Sequence, residues 1–336
     1  MRAFVLTGPR EHSVQEVPAP VAGPGQVVVD IHRVGVCGTD IEFYTGEMSY
    51  LHSGQAAYPM RLGHEWCGAV SGVGAGVDAA WLGRRTTGDT MLGCGECARC
   101  RAGRHHVCAT RYEIGIRGGW AGALAEQLVV PVSSLHPLPD GVDAVAGALV
   151  EPGGNALRCV QAARLSPGDP VLVTGPGTIG LLVAQFARAE GGEVHLLGPT
   201  TASLAFPRSL GFDSWTASDL PDLPWAAIIE ASTAPGLPPR AVDLVEPGGR
   251  VVYIGLSVTP SMIDSRALVL KDVTAVGILG GSAGLDGAIE RFASGAVDPR
   301  PLVAATVGLD RAGDVLGGWR PQDAGPGPKV HIDPRL

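Results

Sequence analysis

Four cysteines within fifteen residues form the densest chemical cluster in the chain: Cys94, Cys97, Cys100 and Cys108, spaced Cys-x2-Cys-x2-Cys-x7-Cys. Thiolates are soft ligands, and four of them meet the tetrahedral preference of Zn2+ in a closed, structural site. The spacing lets one loop wrap the ion, and Gly93, Gly95 and Gly103 permit the turns that wrapping requires. An iron–sulfur cluster uses the same ligand type and is the lesser rival. Thiols clustered by chance are the plain alternative. With four thiolates in hand, His105 and His106 inside the loop are read as exposed and non-ligating. A site with no open position braces a loop and carries no reaction.

A second set stands at the ends of apolar runs. Cys37 lies in Val-Cys-Gly-Thr-Asp, His64 in Gly-His-Glu, and Glu151 in Leu-Val-Glu-Pro. Each is a possible ligand of a catalytic zinc, which takes three protein ligands and leaves one position open. Singly they carry little weight. A lone buried cysteine is usually a small hydrophobe, and a lone histidine a satisfied polar group. Their separations do not show that they meet in space.

A third set is a strand, a glycine turn and a helix start, Val-Leu-Val-Thr-Gly-Pro-Gly-Thr-Ile-Gly at 171–180. Gly175 allows a tight turn, Gly177 a close backbone approach to a pyrophosphate, and Gly180 close packing of helix on sheet. The helix start at Thr178 and Ile179 offers N–H groups and a positive dipole end. The next strand, Glu193–Leu197, should be followed by an acid if a free ribose 2′-hydroxyl is bound. Here it is followed by Gly198, with Thr200 and Thr201 beyond. Losing the carboxylate removes repulsion against a 2′-phosphate, so NADP is favoured over NAD, although no arginine follows immediately.

The elements that position these groups divide the chain in two. Up to about residue 150, short strands such as Gln26–Val34 and Gly68–Val73 are broken by Gly and Pro, predicting an irregular β-rich domain. From about Pro167, strands alternate with helical patterns, which predicts a doubly wound parallel sheet and an α/β fold class overall. A helix is predicted at 285–294. The last forty residues, which show little helical pattern and end in Lys-Val-His-Ile-Asp-Pro from 329, are expected to return to the first domain.

With 336 residues, 45% of them hydrophobic, the chain has ample material for two cores. A net charge of -8 with no basic stripe argues against nucleic acid. No apolar stretch reaches the ~18 residues of a membrane span, and the N-terminus lacks a signal peptide's apolar region. A cytoplasmic protein is expected.

Taken in order, the Cys-Gly-Thr-Asp segment, the Gly-His-Glu segment, the four-cysteine lobe and the glycine turn resemble the zinc-dependent medium-chain dehydrogenases of alcohols, sorbitol and threonine. The resemblance covers nearly the whole chain. It implies a GroES-like catalytic domain at 1–155 with a structural zinc lobe at about 92–110, a Rossmann domain at 156–292, and a C-terminal return at 293–336. Carried over residue by residue, Cys37 and His64 look like catalytic zinc ligands. Glu65 matches an acid that ligates or stands behind the metal, and Glu151 the further carboxylate of polyol-type members. Thr39 matches a proton-relay hydroxyl. Glu42 stands where the family often has histidine, and is a substitute relay. Arg117, Tyr44 and Trp120 fall near the motif segments and are read as scaffold or surface ahead of pocket. The implied activity is hydride transfer between a small-molecule alcohol and NADP or NAD, in a homodimer or homotetramer. A carbonyl reductase working in reverse, or a non-catalytic nucleotide-binding protein on the same scaffold, are the alternatives.

Overall fold

The computed structural model describes residues 1–257 and 259–336. They form two compact units: Met1–Glu151 with Ala288–Gly295 and Pro299–Leu336, and Pro152–Gly287 with Ala296–Asp298.

The first unit is built on a seven-stranded sheet. Its order is Val303–Gly308, Lys329–Asp333, Gln26–Gly35, Glu65–Val73, Arg85–Gly88 and Leu135–Pro137, with Gln127–Pro131 also paired to Gln26–Gly35. The long strand Gln26–Gly35 is the hub, with three neighbours pairing antiparallel to it. Its Val27, Val29 and Ile31 are fully buried, as the period of a strand demands. They pack with Phe43, Leu62, Trp66, Ile114 and Leu124 in one core. The strand runs out at Gly35, and Cys37 then caps the helix Gly38–Thr45, which stops at Gly46 in the left-handed conformation (φ 84°).

Two elements of this unit escaped sequence reading. Val303–Gly308 is half-buried along its whole length, so it shows no alternation, yet it pairs in parallel with Lys329–Asp333. The hairpin Arg2–Gly8 with Glu11–Glu16 forms a small sheet of its own, where only the first strand had a visible pattern.

The second unit holds a six-stranded, all-parallel sheet in the order Asp213–Trp215, Glu193–Leu197, Pro170–Thr174, Trp225–Glu230, Val245–Tyr253, Thr274–Gly277. Numbered along the chain this is 3-2-1-4-5-6, the doubly wound order of dinucleotide-binding folds. Val171, Leu172 and Val173 have zero exposure, because helices cover both faces of such a sheet. Helix Thr178–Ala189 buries Leu181, Leu182, Val183 and Phe186. The strand reversal falls between Pro170–Thr174 and Trp225–Glu230, so a crevice must open at their carboxyl ends.

Candidate metal centres and nucleotide crevice

The sulfur of Cys37, a ring nitrogen of His64 and a carboxylate oxygen of Glu65 lie within 4.8 Å of one another, a set able to hold a metal ion. Strand pairing brings them together. Gly35, two residues before Cys37, is in register with Glu65. A side chain at Gly35 would collide with Glu65, since a Cβ there would sit 2.1 Å from Oε2.

Asp40 ties the two ligand segments. Its carboxylate, with zero exposure, accepts hydrogen bonds from the backbone N–H groups of Cys37 (2.9 Å) and Gly63 (3.2 Å). One oxygen is also 3.4 Å from His64 Nδ1. Burial works against both charges, yet each favours the other. Asp40 is therefore held below the usual carboxylate range, and His64 well above the usual imidazole range, with Cys37 adding to the latter. At that distance Nδ1 has no hydrogen-bond partner, but the Asp40 carboxylate stands behind the imidazole, where a carboxylate supports a metal-binding histidine.

Glu65 has another partner. The ammonium of Lys329, itself buried, donates to both carboxylate oxygens at 2.9 and 2.7 Å and to the Val36 carbonyl at 2.9 Å. Burial lowers the Lys329 pKa and the Glu65 carboxylate raises it, with a net rise. Neither Asp40 nor Lys329 was given a role from sequence. Asp40 lies inside the Cys-Gly-Thr-Asp segment, so its spacing of three from Cys37 was an available capping signal. Lys329 had no local signal.

The remaining residues of this set are placed as follows. Thr39 is half-buried in the first turn of Gly38–Thr45, and Glu42 lies one helical turn further on. Burial, then the charge of Glu47, raises the Glu42 pKa. Glu151 is buried at the start of helix Val150–Ala163 and is not among the Cys37, His64 and Glu65 group.

The thiols of Cys94, Cys97, Cys100 and Cys108 likewise gather within 4.8 Å. Gly95 (φ 76°) and Gly103 (φ 71°) make the turns, and a Cβ at Gly93 would press to 2.7 Å from Cys100 Sγ. A backbone N–H bond from Cys94 does most to pull the Cys108 thiol down to about 6, a value that favours thiolate. These donors fit a structural zinc. The two histidines correct the expectation of exposure. His106 is buried at 8%, and His105 Nε2 sits 2.6 Å from Asp89 Oδ2, anchoring the loop to the strand end. Neither belongs to the thiol group.

In the second unit, a cavity of about 530 Å3 opens at the strand reversal, lined by Gly175, Gly177, Gly198 and Ser232 among others. Gly175 has φ 93°, and a Cβ on Gly180 would lie 1.9 Å from the Gly175 carbonyl oxygen. A Cβ on Gly177 meets nothing within 4 Å, so glycine there keeps the crevice open. Helix Thr178–Ala189 begins directly behind, with the N–H groups of Thr178 and Ile179 in its first turn. A side chain at Gly198 would strike Leu204 at 2.7 Å, which gives the missing acid a packing reason. Thr200 and Ser203 bond to each other in an exposed turn, and Thr201 follows Thr200 there. Arg208 spends a nitrogen on the Ser214 carbonyl at 2.7 Å.

A Cys/His/carboxylate cluster, a thiolate lobe and a glycine crevice on a doubly wound sheet define a class of metal-dependent, dinucleotide-dependent oxidoreductases. Residues 23–140 match the alcohol dehydrogenase GroES-like domain, and residues 178–294 match the zinc-binding dehydrogenase domain. The 2-dehydro-3-deoxy-L-galactonate 5-dehydrogenase of Pseudoalteromonas atlantica is 30% identical over 331 residues, covering 94% of each chain. The sorbitol dehydrogenase of Halalkalibacterium halodurans is 32% identical, covering 82% of this chain and 83% of its own. Among solved structures, a zinc-binding dehydrogenase from Sinorhizobium meliloti bound to NADP aligns at TM-score 0.89 with 28% identity, over 99% of both chains. An Escherichia coli alcohol dehydrogenase complexed with NADH aligns at 0.89 with 25% identity, again over 99% of both. The chain belongs to the zinc-dependent medium-chain dehydrogenase family. It is an oxidoreductase that moves hydride between a carbinol carbon and a nicotinamide dinucleotide.

Proposed function

We propose that Cys37 and His64 hold the catalytic zinc of an alcohol or polyol dehydrogenase, with Glu65 or Glu151 as the further carboxylate. The observation that carries this reading is the convergence of Cys37, His64 and Glu65 within 4.8 Å, with Asp40 behind the imidazole. When bound, zinc supplies Lewis-acid polarisation of the substrate oxygen, and the nicotinamide supplies the hydride acceptor. The Asp40 carboxylate, 3.4 Å from Nδ1, favours the charged imidazole of His64. Thr39 receives the carbinol proton, and Glu42, one turn along the same helix face, passes it outward. The raised pKa of Glu42 suits it to accept and release a proton nearer neutrality. The lobe thiolates Cys94, Cys97, Cys100 and Cys108 hold a second, structural zinc.

The dinucleotide phosphates rest on Gly175, Gly177, Thr178, Ile179 and Gly180, and the adenosine end on Gly198, Thr200 and Thr201. The cofactor is NADP in preference to NAD, because no carboxylate follows Leu197 to repel a 2′-phosphate. An NADP preference suits carbonyl reduction as well as alcohol oxidation. The working form is a homodimer or homotetramer. Supporting this, Thr274–Gly277 ends its sheet with an edge unpaired among the described residues, and Met262, Val269 and Leu270 nearby in the chain are 79–89% exposed. The cytoplasm is the compartment, supported by seven cysteines without a disulfide.

Metal analysis and a turnover panel test the proposal. Two zinc ions per chain are expected, with nicotinamide absorbance changing on polyols, sugar acids, amino alcohols or their ketones. His64→Asn should leave one zinc and cut turnover by more than about a hundredfold. One zinc per native chain and no turnover with either cofactor would point to a nucleotide-binding protein instead.

A further inference from the structure

The first unit holds a cavity of about 450 Å3 between the hairpin of Arg2–Gly8 with Glu11–Glu16 and two segments, residues 56–61 and 116–121. It shares no lining residue with the nucleotide crevice or with the Cys37, His64 and Glu65 cluster. Backbone bonds join its walls. Leu6 and Met60 exchange N–H donation in both directions at 2.9 Å, and Gly122 N–H donates to the Arg61 carbonyl at 2.9 Å.

Strand alternation puts Val5 in this wall. Phe4 and Leu6 on either side fill the core with zero exposure, so Val5 turns to the opposite face. Val17, Met60, Ile116 and Trp120 add apolar surface. Ile116 belongs to the core of the unit, and Met60 and Trp120 pack against that core. The Trp120 indole N–H donates to the Val129 carbonyl at 3.0 Å, which holds the ring in place.

Arg61 is the charged residue of this lining, which contains no Asp or Glu. Other half-buried arginines of the unit have acceptors. Arg33 has Asp333, Arg85 has the carbonyls of Pro139 and Val142, and Arg111 has Glu113. Arg61 is half-buried too, yet among the described residues its guanidinium has no hydrogen-bond, ion-pair or ring partner. Burial alone acts on it and lowers its pKa. A guanidinium carries five N–H donors in a planar fork. Holding it partly out of water without an acceptor is costly, and an anion that enters the cavity recovers that cost.

We propose that this cavity binds a small aromatic monocarboxylate, with the carboxylate on the Arg61 fork and the ring among Val5, Val17, Met60, Ile116 and Trp120. A planar carboxylate meets the fork in bidentate fashion. One unmatched cation balances one negative charge, which suits a monoanion better than a phosphate ester. A void of about 150 Å3 already accepts benzene, so a ring with its carboxylate fits here. Burial of the ring against the apolar wall supplies the remaining affinity. The site is independent of hydride transfer and stands whether or not the catalytic zinc is bound.

Calorimetric titration of the zinc-loaded protein compares benzoate and phenylacetate with their amides, and with acetate and phenyl phosphate. At least one aromatic acid should bind with a Kd of about 1 mM or tighter, and about 10- to 100-fold more tightly than its amide, the worth of a charged hydrogen-bonded pair. Acetate lacks the ring and should bind more weakly. Arg61→Met should level acid and amide, while Arg61→Lys, which keeps the charge and loses the fork, should retain part of the preference. His64→Asn should keep all of it, which separates this site from a carboxylate bound to the metal. A melting curve checks that the variants are folded. If R61M does not fold, native crystals soaked in para-iodobenzoate decide, and the anomalous signal of iodine should lie in the cavity beside Trp120. Iodine found only at the Cys37 and His64 metal, acids that bind no tighter than their amides or acetate, or an acid preference that folded R61M retains would each overturn the proposal. Phenyl phosphate binding more tightly than both acids would also overturn it, by making the occupant a phosphate ester.

Discussion

Lys329 is committed entirely to groups beside the metal cluster, and Glu65, at 1% exposure, has both its oxygens on it. Removing one partner of such a pair leaves a buried charge uncompensated. Lys329→Met should therefore cost about 3–5 kcal/mol in denaturant unfolding of zinc-free protein. Pairing it with Glu65→Gln should recover more than half, because the carboxylate goes too. A single variant within about 0.5 kcal/mol of native would show that the pair is solvated. The thiols make a second residue-scale test. Burial drives Cys67 and Cys159 up to about 12. Only the thiolate alkylates, so at pH 8 each presents about one part in ten thousand of the reactive form. In zinc-stripped native protein iodoacetamide should label exposed Cys94, whose pKa is lowered by backbone N–H bonds, and leave Cys67 and Cys159 until unfolding. Mass spectrometry reads the order.

Among the elements, legibility followed locality. The glycine crevice was readable because strand, turn and helix are consecutive in the chain, and Gly180 must clear the Gly175 carbonyl inside that short stretch. The four thiols were readable for the same reason. Cys37 and His64 stood out through their flanking residues, but their meeting depends on the pairing of Gln26–Gly35 with Glu65–Val73, which no local pattern encodes. Lys329 lies 264 positions beyond its partner. The half-buried strand Val303–Gly308 offered neither alternation nor a continuous apolar run. Gly198 shows how an element sets the limits of a cofactor switch. Gly198→Asp alone should damage folding, because its side chain meets Leu204. Gly198→Asp with Leu204→Ala makes room, and should raise the NAD-to-NADP ratio of kcat/KM by about tenfold or more through repulsion of the 2′-phosphate. An unchanged ratio in the folded double variant would place the 2′ end of the ribose elsewhere.

At the scale of the whole molecule, the apolar surface on the second unit should decide assembly. Leu270 is 85% exposed on helix Ser265–Leu270, which has no buried residue. Leu270→Glu should lower the mass seen by light scattering towards 34.4 kDa, the mass of one chain. If the native protein already scatters as one chain, the exposed residues serve no copy of it.

The strand Lys329–Asp333 also has a consequence in time. It lies beside the hub strand Gln26–Gly35, and its lysine neutralises Glu65. A ribosome delivers residues in order, so the nascent first unit waits through almost the entire synthesis with that carboxylate unmatched and one side of its hub strand open. The second unit, whose sheet is complete by Gly277, can close while the first is still unfinished.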